Sequence, residues 1–278
     1  MNPLYIFCLV YAGIFGVCLG SFMNVCIARM PEDRSVVHPR SACPRCGTPI
    51  AAYDNVPVLA WFWLGGRCRA CKGEISALYP VIEALFGVLT VLLFRRVIPD
   101  VALLDAGHIA AFFWYLYLLF ALVALSFIDL KHYIIPDPFS IYAVPLGVGG
   151  AALVTYLGYP DAPTWQQSVV GALIGGGLLL PIMGGYYLIR KEQGMGWGDP
   201  KLLALIGSYF GAIPAMPVVI LVGSVTGSIV GVLAALIGRK GLRLQVPFGP
   251  FLVLGALLWL FWGPGLEARI VPRLYGLD

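Results

Sequence analysis

Long apolar runs separated by short polar segments are the main pattern along this chain. Ala106–Ile128, Val169–Ile189, Val218–Ile237 and Phe248–Trp262 reach or approach the ~20 residues a helix needs to cross a bilayer. One such run fits the core of a soluble protein; half a dozen do not. The pattern predicts helical spans at about 4–27, 79–98, 106–128, 138–158, 168–189, 201–213, 216–238 and 248–266. The sixth is short. At about 1.5 Å per residue it reaches only about 20 Å, and Pro214 and Pro217 separate it from the next. It is expected to be a partial span packed inside the bundle. The first run is expected to be retained rather than cleaved. Met1–Phe7 carries no basic residue and no small-residue cleavage site closes the stretch. Its Gly13, Gly16 and Gly20 suit a close helix crossing.

Composition sharpens this picture into a fold class. The chain has 278 residues, 60% of them hydrophobic and 12% charged, well outside soluble averages. The expectation is an all-α polytopic membrane bundle of about eight transmembrane helices, lying in a lipid bilayer. Placing loops 29–78, 129–137, 190–200 and 239–247 on the cytosolic side, with Lys201 at their edge, collects fourteen of the eighteen Lys and Arg. That asymmetry follows the positive-inside rule and puts both termini outside. The net charge of +4 therefore reports topology, and nucleic acid is not an expected partner. Three regions are expected: 1–28 as transmembrane helix 1, 29–78 as a cytosolic cysteine-knuckle domain, and 79–278 as the remaining bundle.

The domain between helices 1 and 2 is too small to hold itself together by apolar burial alone. Cys43-Pro-Arg-Cys46 and Cys68-Arg-Ala-Cys71 form two C-x2-C knuckles 21 residues apart. Four thiolates at this spacing suit a tetrahedral structural zinc, whose binding energy is also folding energy. Gly47 and Gly73 are expected to make the tight turns that bring amides to the sulfurs. Disulfides or free thiols are the alternative, and a cytosolic location argues against disulfides. Cys8, Cys18 and Cys26 lie in the first span and read as packing residues.

Acidic side chains inside spans are costly and are candidates for function. Asp129 closes the third apolar run, at a helix C-terminus that disfavours a negative charge. It is either an edge residue paired with Lys131 or His132, or a working carboxyl. Asp137-Pro138 and Asp199-Pro200 both read as helix caps followed by proline. Asp199, however, sits in Gly194-Met195-Gly196-Trp197-Gly198-Asp199, where the glycines suggest close backbone approach. Asp129 and Asp199 fall on the same cytosolic edge. Two carboxylates sharing one proton can hydrolyse a peptide bond without a metal or a covalent intermediate, and the helix ends bias Asp129 to the protonated role and Asp199 to the ionised one. Glu83 is either a packing acid paired with an arginine or part of a second activity. Lys201 either holds the charge of Asp199 or marks the membrane edge. His38, His108 and His132 show no metal-ligand pairing.

In the order and spacing of these features the chain resembles the type IV prepilin peptidase family, bacterial relatives of the Gly-x-Gly-Asp membrane proteases. The resemblance runs through Gly20-Ser21-Phe22-Met23-Asn24-Val25, the cysteine knuckles and Tyr79-Pro80-Val81-Ile82-Glu83. It continues through Asp129 with Ile135-Pro136-Asp137, Gly196-Trp197-Gly198-Asp199-Pro200-Lys201 and Pro247-Phe248-Gly249-Pro250. It implies Asp129 and Asp199 as the catalytic pair, supported by Gly196, Gly198, Lys201 and Glu83. It also implies a prepilin or pseudopilin substrate with a short basic leader, cut at the cytosolic face of the bacterial inner membrane. The long cysteine-bearing loop implies N-methylation of the new terminus with S-adenosylmethionine, a donor for which no residue motif stands in the sequence.

Other functions fit less well. His-Glu-x-x-His is absent, no serine has an evident histidine partner, and the Pro-Ala-Leu signature of presenilin-like proteases is missing. A transporter relaying protons, or a zinc-stapled secretion-assembly scaffold, remains the alternative from another class.

Overall fold

The computed structural model describes residues 2–191, 196–237 and 246–275. Its ten α-helices are α1 (Pro3–Arg29), α2 (Leu59–Trp63), α3 (Leu78–Val97), α4 (Ala106–His132), α5 (Val144–Tyr156), α6 (Trp165–Leu178), α7 (Leu180–Arg190), α8 (Gly198–Phe210), α9 (Ala215–Ile237) and α10 (Gly249–Tyr275). Seven stretches among the described residues are long and apolar enough to cross a membrane: Pro3–Glu32, Leu78–Val97, Ala106–His132, Asp137–Tyr156, Trp165–Arg190, Ala215–Ile237 and Gly249–Leu266. The protein is a multi-pass, all-helical membrane protein. The eighth predicted span corresponds to α8, whose 13 residues rise only about 20 Å. Two other predicted spans are interrupted. Pro181, near the start of α7, lacks the N–H that would continue α6. Two 3-10 turns, Asp137–Phe139 and Ile141–Ala143, precede α5.

The chain divides into two compact units, Met1–Leu104 and Asp105–Asp278. In the first, α1 runs antiparallel to α3. Tyr5 donates its hydroxyl to the Ile98 carbonyl at one end (2.8 Å), and Asn24 donates to the Tyr79 carbonyl at the other (3.1 Å). Gly16 lies against Thr90 and Gly20 against Glu83 and Phe86, with no room for a side chain at either. The segment from Met30 to Ala77 is mostly turns. Cys43 N–H donates to the Thr48 carbonyl and Cys68 N–H to that of Gly73. Short antiparallel bridges, Ala42 with Pro49 and Arg67 with Glu74, frame the two knuckles. The residue after each second cysteine, Gly47 or Lys72, has positive φ (70° and 56°). The second turn is thus made at Lys72, one residue before the glycine expected to make it. Gly73 instead abuts the Arg45 side chain. Arg69 clasps Asp54 through two hydrogen bonds of 2.7 and 2.6 Å, and the Trp61 indole N–H donates to the Ile75 carbonyl.

The second unit is built around α4. Asp105 caps its start by accepting from His108 N–H, and the stretch from Ala111 to Leu125 is buried on most sides. α8 is buried for nearly its whole length, from Leu202 to Tyr209, as a partial span inside a bundle must be. It reaches that depth through small contacts. Gly171 of α6 meets the Gly207 carbonyl, Gly175 meets the Leu203 carbonyl, and Ser168 donates to the Ser208 carbonyl. At the far end Tyr209 stacks on Trp114 of α4, with centroids 4.7 Å apart and planes 18° apart. α6 begins at a capping box between Thr164 and Gln167, which satisfies two otherwise free amides.

Candidate functional site

Helix ends bring the site together. α4 is stopped by Tyr133, which turns left-handed (φ 58°) and donates its N–H to the Asp129 carbonyl at 3.0 Å. The chain then runs through buried Ile135 to Pro136 and Asp137. α8 starts at Gly198 and α10 at Gly249. Ile135 packs against both glycines, because a Cβ on Gly198 would lie 3.0 Å from Ile135 Cγ1, and one on Gly249 would lie 3.4 Å from Ile135 Cδ1.

Asp129 and Asp199 face this junction, and both are buried, with 7% and 8% of their surface exposed. Asp129 Oδ2 accepts the Gly249 backbone N–H at 3.1 Å. A helix N-terminus thus stabilises an anion at Asp129 and opposes the unfavourable end of α4, so helix ends alone do not rank the two acids. Asp199 lies in the first turn of α8, a helix too short to span. Burial, and then the nearby charge of Asp129, push its carboxyl up to about 7. The arrangement is a pair of interacting, desolvated carboxyls, whose protonation belongs to the pair rather than to either member.

The capping roles read from the two Asp-Pro pairs do not hold. Trp197 is the residue before α8 and Pro136 the residue before the 3-10 turn, and neither start has a side-chain cap. α8 begins two residues earlier and the 3-10 turn one residue earlier than its Asp-Pro pair implies, so the aspartates sit inside the first turn. Asp137 is paired with Lys201 (Nζ to Oδ1, 2.5 Å). Lys201 therefore does not hold Asp199, since residues two apart on a helix do not face each other. Gly198 is pressed on Ile135, whereas Gly196 has open space around it. Gly194 and Met195 lie outside the described residues.

Glu83 belongs to the first unit. It is 8% exposed, and its Oε2 accepts the Val58 N–H at 2.6 Å. Its partner is that backbone amide, not an arginine. Val58 is held at φ 61° and ψ −56°, close to the strained γ-turn geometry. The sequence gives no sign of this contact, nor of the Gly249 amide on Asp129.

The four knuckle cysteines converge, with all sulfurs within 4.8 Å of one another and Cys43 Sγ 3.8 Å from Cys71 Sγ. Sulfurs about 2.3 Å from a tetrahedral ion stand about 3.8 Å apart, so this donor set fits a four-thiolate metal site. The Cys46 thiol donates to Thr48 Oγ1 at 3.2 Å.

Two family models match the chain: the Bacterial Peptidase A24 N-terminal domain over residues 14–97 and the Type IV leader peptidase family over residues 116–232. The first covers the cysteine knuckles and the second covers both buried aspartates.

Among curated proteins, one from Aeromonas salmonicida (strain A449) is 35% identical, with 95% of this chain and 93% of the relative aligned. One from Myxococcus xanthus (strain DK1622) is 37% identical over 92% of this chain and 73% of the relative. One from Pseudomonas putida is 32% identical over 99% and 96%. All three are named prepilin leader peptidase/N-methyltransferase. No solved structure matches. The chain belongs to the type IV leader peptidase family.

Proposed function

We propose that this protein is a prepilin peptidase, an aspartyl endopeptidase that removes the short basic leader of a prepilin or pseudopilin and then N-methylates the new terminus. The observation that carries the reading is the pair of buried, neighbouring carboxyls at the meeting of α4, α8 and α10. One carboxyl, protonated, donates to the oxygen of the scissile carbonyl. The other, ionised, takes a proton from a water that attacks the carbonyl carbon. The tetrahedral intermediate collapses with cleavage of the C–N bond, and the proton taken from water passes to the leaving amine. The Gly249 amide orients Asp129, and Ile135 sets the chain after α4 against Gly198.

The remaining assignments follow from the same reading. Cys43, Cys46, Cys68 and Cys71 hold a structural zinc, whose part is to fold the 29–78 domain rather than to act on substrate. S-adenosylmethionine supplies the methyl group when bound, and no residue is assigned to it. A location in the bacterial inner membrane belongs to the same reading, and the Lys and Arg distribution supports an orientation with the aspartates at the cytosolic face, where the boundary of a leader and an apolar pilin helix would meet them.

The reading is tested by coexpressing a prepilin with the protein and determining the mass of the pilin N-terminus. Loss of the leader together with one added methyl is expected. An intact leader in cells that contain the protein in their membranes contradicts the reading.

A further inference from the structure

The half-buried ion pair between Lys201 and Asp137 spans the two elements that carry the aspartates. Lys201 is two residues after Asp199 on α8, and Asp137 ends the tail that leaves Asp129 at the foot of α4. The pair is short (2.5 Å), with the side chains 34% and 41% exposed. Neither residue caps a helix. The tail between Asp129 and Asp137 is reversed at Tyr133 and seated by Ile135 on Gly198. Its turn is closed by Ser140 Oγ, which donates to the Pro136 carbonyl at 2.9 Å. The ion pair is a direct polar tie between this tail and α8. Packing at Ile135 resists closer approach, and the ion pair resists separation.

We propose that Lys201 and Asp137 are positioning residues that set the distance between Asp129 and Asp199. The inference rests on the aspartate pair being the proteolytic centre. It assigns the lysine a mechanical role, since its Nζ is spent on Asp137. Loss of either partner lets the first turn of α8 drift from α4. A drift of about 1 Å at a reacting centre costs on the order of 100-fold in rate. It also weakens the coupling of the two carboxyls, so the limbs of their bell-shaped pH profile move together.

The test is kcat and KM for a prepilin substrate across pH, with purified full-length protein in lipid. The samples are wild type, Lys201→Met, Asp137→Asn, the double variant and Lys201→Arg, with Asp199→Asn as reference. His132 lies one turn beyond Asp129 on α4, so each profile is compared with wild type rather than read alone. The expectation is a kcat lowered roughly 10- to 100-fold in each single variant, with KM little changed and the profile narrowed. The double variant is expected to be no worse than the poorer single, and Lys201→Arg to recover most of the rate. Unchanged kcat and profile width in both single variants overturn the proposal. So does a loss that tracks only the folded fraction, with the profile width preserved. If Asp199→Asn itself cuts at the wild-type rate, the proteolytic reading fails first, and that result is distinct from the other two.

Discussion

The cysteine-bearing segment and the aspartate-bearing bundle reach order by opposite means. Between Met30 and Ala77 the buried side chains are few: Cys43 and Ala60, beside the glycines 66 and 73. Leu59, Phe62 and Trp63 on α2 are exposed. Such a segment has little apolar burial to offset the entropy of ordering its backbone, and the four converging thiols supply the missing term. Around α4 and α8 the reverse holds. Leu118, Leu122, Leu125, Leu202 and Leu205 are almost fully buried, and glycines let the helices touch backbone to backbone. Two acids can be held desolvated there because packing fixes the elements around them. Four converging thiols tie the first region together and leave its surface open; close packing orders the second and holds the two acids.

The comparison is sharpened most by damage confined to one region. Gly249→Ala is expected to lower cleavage by roughly 100-fold, because the added Cβ falls 2.5 Å from Asp129 Oδ2 and displaces the carboxyl from its amide. Metal content is expected to stay unchanged, and the two readouts together check the claim. Raising the pH is next. Burial and the nearby charge of Asp129 raise the Asp199 carboxyl to about 7, and a pair that must keep one proton loses it as pH rises through that region. Cleavage should then fall by roughly tenfold per pH unit well above it, measured at saturating substrate. The smallest effect on the bundle is expected from Cys43→Ala. That variant should lose the metal, seen by elemental analysis, and expose the 30–77 segment to protease nicking, while the unfolding of the bundle stays close to wild type.

Much of this was legible beforehand, for identifiable reasons. Spans follow from run length, which depends on nothing distant. The thiol cluster follows from two local knuckles, and the depth of α8 follows from its apolar run being too short to cross. What escaped the sequence is contact between remote positions and small shifts of helix start. Gly249 reaches Asp129 across 120 residues through a backbone amide, a donor every non-proline residue carries. Lys201 stands beside Asp199 in the chain, yet pairs with Asp137 64 residues away, because helical geometry turns i and i+2 apart. The Asp-Pro pairs read as caps, but α8 starts two residues early and the 3-10 turn one. Lys72 takes the left-handed turn that a glycine would take more cheaply, and only the comparison of the two knuckle turns shows it.

The central claim is that Asp129 and Asp199 together cut the substrate. Its most direct test is the turnover of a purified prepilin by Asp129→Asn and Asp199→Asn in lipid, at matched amounts of folded protein with full metal content. Both variants are expected to fall by about 10³-fold or more, with unfolding temperature and metal stoichiometry unchanged. Turnover within tenfold of wild type in either variant would contradict the shared-proton account and leave that aspartate as a buried structural acid.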